Sequence, residues 1–145
     1  LLHESKNSSS VTPIFSSRYN NLKNDKGTID APIGRHPIDR KKMAVIDKNS
    51  KRAVTHYEVL QRFNKYTLIK LKLETGRTHQ IRVHMSYIGN PLLGDIVYGK
   101  EKQPFKLVGQ VLHAKVLGFV HPTTNKYMEF ETELPQYFKD ILKKL

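Results

Sequence analysis

The chain contains no cysteine and no tryptophan among its 145 residues. The lack of cysteine excludes disulfide bonds, cysteine-ligated zinc and a thiol nucleophile. No apolar run approaches the length of about 18 residues that a membrane-spanning helix needs, and no signal-peptide pattern opens the chain. We therefore expect no membrane association and a cytoplasmic location.

Acidic residues are scarce relative to basic ones. The chain has 25 Lys and Arg against 13 Asp and Glu, which gives a formal net charge of +12. Such an excess favours a polyanionic partner, most simply RNA or DNA. The length suits one domain or part of one. Because the first residue is Leu1 rather than methionine, we expect a processed or truncated product.

The pattern of apolar and polar residues predicts several strands after a polar beginning. Residues 1–26 are rich in serine and asparagine and indicate a lead-in or tail, in which 11–15 form at most a short edge strand. Residues 53–63 and 66–74 alternate in side-chain character, which predicts an antiparallel hairpin. Residues 27–145 are expected to form the folded part.

Helical periodicity is clearest after this hairpin. Ile81, Met85 and Ile88 are spaced as on one face of a helix, and Thr75 or Thr78 is a candidate cap. A second helix is predicted at the C-terminal end, with Pro135 in its first turn. The expected fold is α+β, with a mostly antiparallel or mixed sheet and a few flanking helices.

The segment LETGRTHQIRVHM, residues 73–85, has the highest density of candidate functional residues. Arg82 follows Ile81 and therefore lies at the edge of the buried helix face, where an arginine needs an anionic partner. Arg77 and His79 stand at the helix start, where side chains and free N–H groups can contact RNA phosphate. Gln80 is a candidate bridge to a neighbouring strand. His79 and His84 are five residues apart, so no metal site is expected.

Several blocks in a fixed order resemble the RluA/RluD-type RNA pseudouridine synthases. They are GTIDAPIGRHPIDRKKMAV, AVTHYEVL, LETGRTHQIRVHM, GNPLLGDIVYG and LHAKVLGFVHP, and they run from about residue 27 to the end. The resemblance implies a partial pseudouridine synthase catalytic fold that binds RNA, ribosomal RNA or tRNA, without a metal or organic cofactor. The family's His-Arg-Leu-Asp block with its Thr-Gly turn is absent from the sequence.

The resemblance also implies roles for individual residues. The arginine that pairs with the family's catalytic aspartate corresponds to Arg82; without that aspartate, Arg82 is unpaired, solvated or bound to another acid. Leu112, in Leu-His-Ala, corresponds to the leucine that packs against the target base, although a leucine in an apolar strand is usually core. Asp95 is expected to be a cap or turn acid.

Two further assignments follow from position. Asp39 only superficially echoes the catalytic block, because its spacing is wrong and no Thr-Gly turn follows, so we reject it as a nucleophile. The base-stacking aromatic of the family falls near Phe15 or Tyr19, while Tyr57 is expected to be a core tyrosine. These residues leave the chain without an identified nucleophile.

A basic segment precedes the hairpin and is a candidate RNA track, with a solvated basic loop as the alternative. Its cations are Arg35, Arg40, Lys41 and Lys42. Two hypotheses result: the C-terminal part of a pseudouridine synthase catalytic domain, inactive alone, or a non-catalytic RNA-binding domain of the same fold. A basic ribosomal or assembly protein of unrelated ancestry is disfavoured by the block-by-block match.

Overall fold

The structure is a computed structural model that describes residues 8–16, 22–99, 102 and 105–145. Within these residues the elements are, in chain order, β1 (Ser8–Ser16), β2 (Lys26–Asp30), β3 (Ile33–Arg35), β4 (Met43–Val45), β5 (Ser50–Lys51), β6 (Val54–Arg62), β7 (Tyr66–Leu73), α1 (Gln80–Tyr87), β8 (Leu112–Val120), β9 (Tyr127–Glu131) and α2 (Gln136–Lys144). The predicted α+β class is confirmed.

The main sheet has six strands in the order β2-β6-β7-β1-β8-β9, and a smaller sheet has the order β4-β3-β5. Every recorded strand pair in the described residues is antiparallel. The predicted hairpin is β6–β7, closed by a bond from the Phe63 amide to the Tyr66 carbonyl at 2.8 Å. The alternation is clearest in the second half of β7, where Ile69 and Leu71 are buried and Lys70 and Lys72 are exposed.

The prediction of at most an edge strand in the polar lead-in was wrong. Strand β1 pairs with β7 on one side and β8 on the other, so it lies inside the main sheet. Its Ser-rich sequence carries no alternating apolar pattern, and a register shift interrupts its pairing between Ser10 and Val11. The strand is therefore specified by backbone pairing with its neighbours rather than by a pattern of its own.

Helices pack on both faces of the main sheet. Ile69 and Leu71 of β7 are fully buried in one cluster with Ile81 and Met85 of α1. Leu68, which alternates with them and so points to the other face, packs in a second cluster whose other buried members are Leu93, Val111, Phe138 and Ile141. The two apolar faces of one strand thus place α1 and α2 on opposite sides.

The small sheet is attached to α1 by its own apolar contacts. Ile33, Ala53 and Val83 form a third buried cluster, with Met43 and Tyr98 packed against it. This packing holds the segment between β3 and β4 beside the N-terminal half of α1. The sequence predicted a terminal helix starting around Pro135; Pro135 is instead its N-cap, in an extended conformation.

Candidate functional site

The turn into α1 is stabilised by side chains, although not by the predicted cap. His79 is the N-cap, with φ of 54° and no side-chain cap bond, so the prediction of a Thr75 or Thr78 cap was wrong. The Thr75 hydroxyl instead accepts a bond from the Val54 amide at 2.9 Å and donates to Oε1 of Gln80 at 2.8 Å. Thr75 therefore joins the turn to β6.

Gln80 is the centre of this buried polar network. Its Nε2 donates to the Val54 carbonyl and to the Thr55 hydroxyl, both at 3.0 Å, and its Oε1 also accepts from the Arg77 amide at 2.9 Å. The predicted bridge to a neighbouring strand is thus confirmed. Gln80 is only 3% exposed. Its role toward RNA stays a prediction, and such a role would be indirect, through the backbone groups that Gln80 binds.

Arg77 and His79 lie at the surface beside this network. The Nε of Arg77 donates to the Arg52 carbonyl at 2.8 Å, which ties the side chain to the connection between β5 and β6. His79 is exposed, and a 2.8 Å bond joins its Nδ1 to the Tyr98 hydroxyl. Both side chains are held in place by one protein contact, and their contact with RNA stays a prediction.

Arg82 has a partner that the sequence reasoning did not identify. Its Nε donates to Oδ2 of Asp95 at 2.8 Å and its Nη2 to Oδ1 at 3.0 Å. The side chain of Arg82 is 13% exposed and that of Asp95 is fully buried. Of the three alternatives for Arg82, the structure has the pairing with another acid, and it places Arg82 at the edge of the buried face as predicted.

Asp95 is also the turn acid that was expected. Its Oδ1 accepts bonds from the amides of Val97 and Tyr98, both at 3.1 Å. Burial raises the pKa of Asp95, but the bonds from Arg82 and these two amides outweigh burial, and the net pKa lies below its ordinary value. One signal could have revealed the pair: Asp95 is the sole acid between Glu74 and Glu101.

Tyr98 connects the ion pair to the small sheet. The Arg82 guanidinium carbon lies 4.9 Å from the centre of the Tyr98 ring, within the range of a cation–π contact. The Tyr98 hydroxyl accepts a bond from the Met43 amide at 3.0 Å and contacts His79 as described. Strand β4, the α1 N-cap and Arg82 therefore meet at one aromatic side chain.

The basic segment from the last residue of β3 to the start of β4, residues 35–42, is an ordered loop that we call the basic loop. The His36 amide donates to the Lys42 carbonyl at 2.9 Å, which closes the loop, and the Lys42 amide donates to the Asp39 carbonyl at 2.9 Å. The Asp39 carboxylate accepts from the Lys41 amide and lies 3.8 Å from the Lys42 ammonium. Asp39 is therefore an exposed acid within a turn.

The remaining predicted residues lie apart from the Arg82–Asp95 pair or outside the residues that the structure describes. Leu112 begins β8 and is partly buried against the core cluster that contains Ile81 and Met85; its role in lining a uridine pocket stays a prediction. Tyr57 packs against the same cluster, which confirms it as a core tyrosine. Tyr19 and the Phe15 side chain lie outside the described residues.

The described part of the chain lacks two other kinds of feature. There, no cluster of three or more His, Cys, Asp or Glu side chains is arranged to hold a metal ion. No helix among the same residues is both long and apolar enough to cross a membrane.

Comparison with known families now decides the ancestry of this arrangement. The family model described as RNA pseudouridylate synthase matches residues 11–87, which include most of β1, the basic loop and α1. The chain belongs to this family. The match begins at residue 11 rather than near residue 27, so the polar lead-in carries family sequence although its composition suggested a tail.

Named relatives agree with this family assignment. The uncharacterized RNA pseudouridine synthase YlyB of Bacillus subtilis is 54% identical over 124 residues, covering 86% of this chain and 40% of the relative. Ribosomal large subunit pseudouridine synthase D of Pseudomonas aeruginosa is 50% identical over 128 residues, covering 80% of this chain and 40% of the relative. The chain thus spans about two fifths of these family members.

Solved structures support the fold. Human RNA Pseudouridylate Synthase Domain Containing 1 matches with a TM-score of 0.76 at 27% identity, over 89% of this chain and 55% of that one. Human RNA Pseudouridylate Synthase Domain Containing 4 matches with a TM-score of 0.72 at 23% identity, over 95% and 62%, and shows the fold alone.

Proposed function

We propose that this chain is the Arg82-bearing part of an RNA pseudouridine synthase that isomerises uridine in ribosomal RNA. The observation that carries the proposal is the fixed Arg82 guanidinium within a family motif. Relatives that share about half of its residues are named for action on the large ribosomal subunit. A cytoplasmic location is part of the same proposal, because that is where bacterial ribosomal RNA is modified.

The geometry suits Arg82 for holding an ionised carboxylate. Asp95 occupies Nε and Nη2, and no partner of Nη1 is recorded among the described residues. The guanidinium is therefore held from one side while Nη1 remains available for a second anion. An arginine in this position lowers the pKa of a neighbouring aspartate and keeps it charged for attack on the uridine.

The reaction breaks the N1–C1′ bond of uridine, rotates the uracil and rejoins it to C1′ through C5. The family performs it with one aspartate, which belongs to the His-Arg-Leu-Asp block that is absent from these 145 residues. We therefore propose that the chain alone does not catalyse isomerisation, and that Arg82 acts together with an aspartate supplied upstream. No metal or organic cofactor enters this proposal.

Tritium release from RNA that carries 5-tritiated uridine tests the proposal. We expect no release with this chain alone and release once the upstream segment of the parent protein is restored. In the restored protein, Arg82→Ala should abolish release and keep most of the RNA affinity. Full activity of that variant would remove Arg82 from the mechanism, and release by the chain alone would reveal a nucleophile among its own residues.

The alternative is a non-catalytic RNA-binding domain of the same fold. It is favoured only by the missing aspartate block and predicts RNA binding without tritium release, even when the natural upstream segment is present. The same assay therefore separates the two functions.

RNA binding by the basic loop gives a second expected result. Replacing Arg40, Lys41 and Lys42 by alanine removes cations that would displace counterions from RNA, so the slope of log K against log salt should become shallower by roughly 2 to 3. Alanine replacements of Lys126, Lys143 and Lys144 serve as a control of equal charge. Lys126 directly precedes β9, and the other two lysines end α2. Equal slopes for both triple variants would place the basic loop away from RNA.

A further inference from the structure

One side chain in the basic loop is out of keeping with its surroundings. Ile38 is an apolar side chain that is 87% exposed, in a loop whose other exposed side chains are mostly charged. An exposed isoleucine alone needs no explanation. Here it stands at the tip of a loop that also carries Arg35, Arg40 and Lys41, all three of which are exposed.

The loop holds this tip in a fixed conformation. The Nδ1 atom of His36 accepts bonds from the Ile38 amide at 3.2 Å and the Asp39 amide at 2.9 Å. Arg35 spans the loop, with its Nη1 donating to the Arg40 carbonyl at 3.2 Å. Because the backbone is already ordered, little conformational entropy is lost when the tip contacts a partner.

A basic concavity adjoins the tip. It has a volume of about 710 Å³ and is lined by Arg35, Arg40 and Lys48 together with Pro37 and Asp47. Three cations against one carboxylate leave a positive site that is wide enough for a phosphate and its sugar. Pro37, which lines it, directly precedes Ile38, so the cationic concavity and the apolar tip belong to one surface.

We propose that Ile38 is an apolar wedge that packs against an unstacked RNA base while the adjoining phosphate occupies the concavity formed by Arg35, Arg40 and Lys48. When an apolar side chain enters between bases, its new contacts offset the free energy lost from base stacking. This loss is smallest in loops and bulges. The inference rests on the proposed RNA function and adds its mode of recognition. It predicts a preference for single-stranded loops over continuous helices.

The test uses a stem-loop RNA with 2-aminopurine in its loop, whose fluorescence rises when the base leaves its stack. The wild-type chain should bind and raise the fluorescence. Ile38→Ser should bind roughly tenfold more weakly, since about half of the transfer free energy of an isoleucine is lost, and should give no rise at saturation. Ile38→Leu should restore both signals.

Val108→Ser is the matched control, because Val108 is also fully exposed and lies outside the basic loop. It should leave affinity and fluorescence unchanged. If wild type binds RNA with a salt slope that depends on the basic loop, but Ile38→Ser gives the wild-type fluorescence rise, the wedge is refuted and the RNA function stands. If wild type binds no RNA at all, the proposed function itself fails.

A basic loop with an apolar tip also suits an anionic lipid surface. Vesicles containing phosphatidylserine distinguish this case. Weaker vesicle binding by Ile38→Ser, together with unchanged RNA binding and fluorescence, would overturn the inference.

Discussion

Replacing Asp95 by alanine is expected to lower the free energy of unfolding by about 3–5 kcal/mol, because it leaves a largely buried arginine without its counter-charge. The carboxylate is fully buried and accepts bonds from Arg82, Val97 and Tyr98. All of these donors lose their acceptor at once, and buried donors without a partner carry the full cost of desolvation. Urea unfolding of wild type and variant measures the difference.

Asp95→Asn separates charge from hydrogen bonding. The amide oxygen still accepts from the Val97 and Tyr98 amides, while the charge that pairs with Arg82 is removed. We therefore expect a smaller loss than for alanine. Glu133→Ala is the control, because its pair with Lys139 is exposed, with the glutamate side chain at 91%, and such pairs contribute about 0–1 kcal/mol.

A double-mutant cycle sharpens the result. If Arg82 and Asp95 stabilise each other mainly through their bidentate pair, then Arg82→Met with Asp95→Ala should cost less than the sum of the single changes. A loss below about 1 kcal/mol for Asp95→Ala alone, or strict additivity in the cycle, would contradict the view that Asp95 is the main counter-charge of Arg82.

The sequence predicted those features whose cause is local. The β6–β7 hairpin follows from alternation along two adjacent segments, and α1 follows from the spacing of Ile81 and Met85. The position of Arg82 at the edge of the buried face follows from the same helical geometry. Each of these predictions requires only the side-chain period of one element and the burial of one face.

Features that depend on distant partners were not predicted. The pairing of Arg82 with Asp95 needs the chain to reverse after α1 and to bury Leu92 and Leu93, so that Asp95 returns to the helix. The central place of β1 depends on β7 and β8, not on its Ser-rich sequence. The left-handed N-cap at His79 was missed because few side chains adopt this conformation, and the surrounding bonds, not local propensity, impose it.

His84 is expected to make stability depend on pH in a range where the carboxylates do not. The ring is fully buried; its Nε2 donates to the Ala31 carbonyl at 2.8 Å, and its Nδ1 accepts from the Thr55 hydroxyl at 2.8 Å. The Ala31 carbonyl can only accept, which places a hydrogen on Nε2, and a second proton on Nδ1 would take away the acceptor of the Thr55 hydroxyl hydrogen. The neutral ring with hydrogen on Nε2 is therefore the form that fits.

Burial lowers the pKa of His84, with the Ala31 carbonyl and Asp30 opposing the shift. In the unfolded chain the pKa returns to about 6.5. Between these two values the unfolded state binds more protons than the folded state, so the unfolding free energy falls as pH decreases below about 6.5. The lowered pKa of Asp95 acts at more acidic pH, below about 4, which keeps the two effects separate.

Urea unfolding at about pH 7.5 and about pH 5 measures the His84 contribution. His84→Gln retains one donor and one acceptor and should cost about 2 kcal/mol at the higher pH through imperfect packing. It should, however, lose less stability between the two pH values than wild type does, because glutamine does not titrate. Val111→Ala, which disturbs a fully buried position without changing a titratable group, should keep the wild-type pH dependence. If His84→Gln shows the same loss on acidification as wild type, the titration of His84 is not the cause.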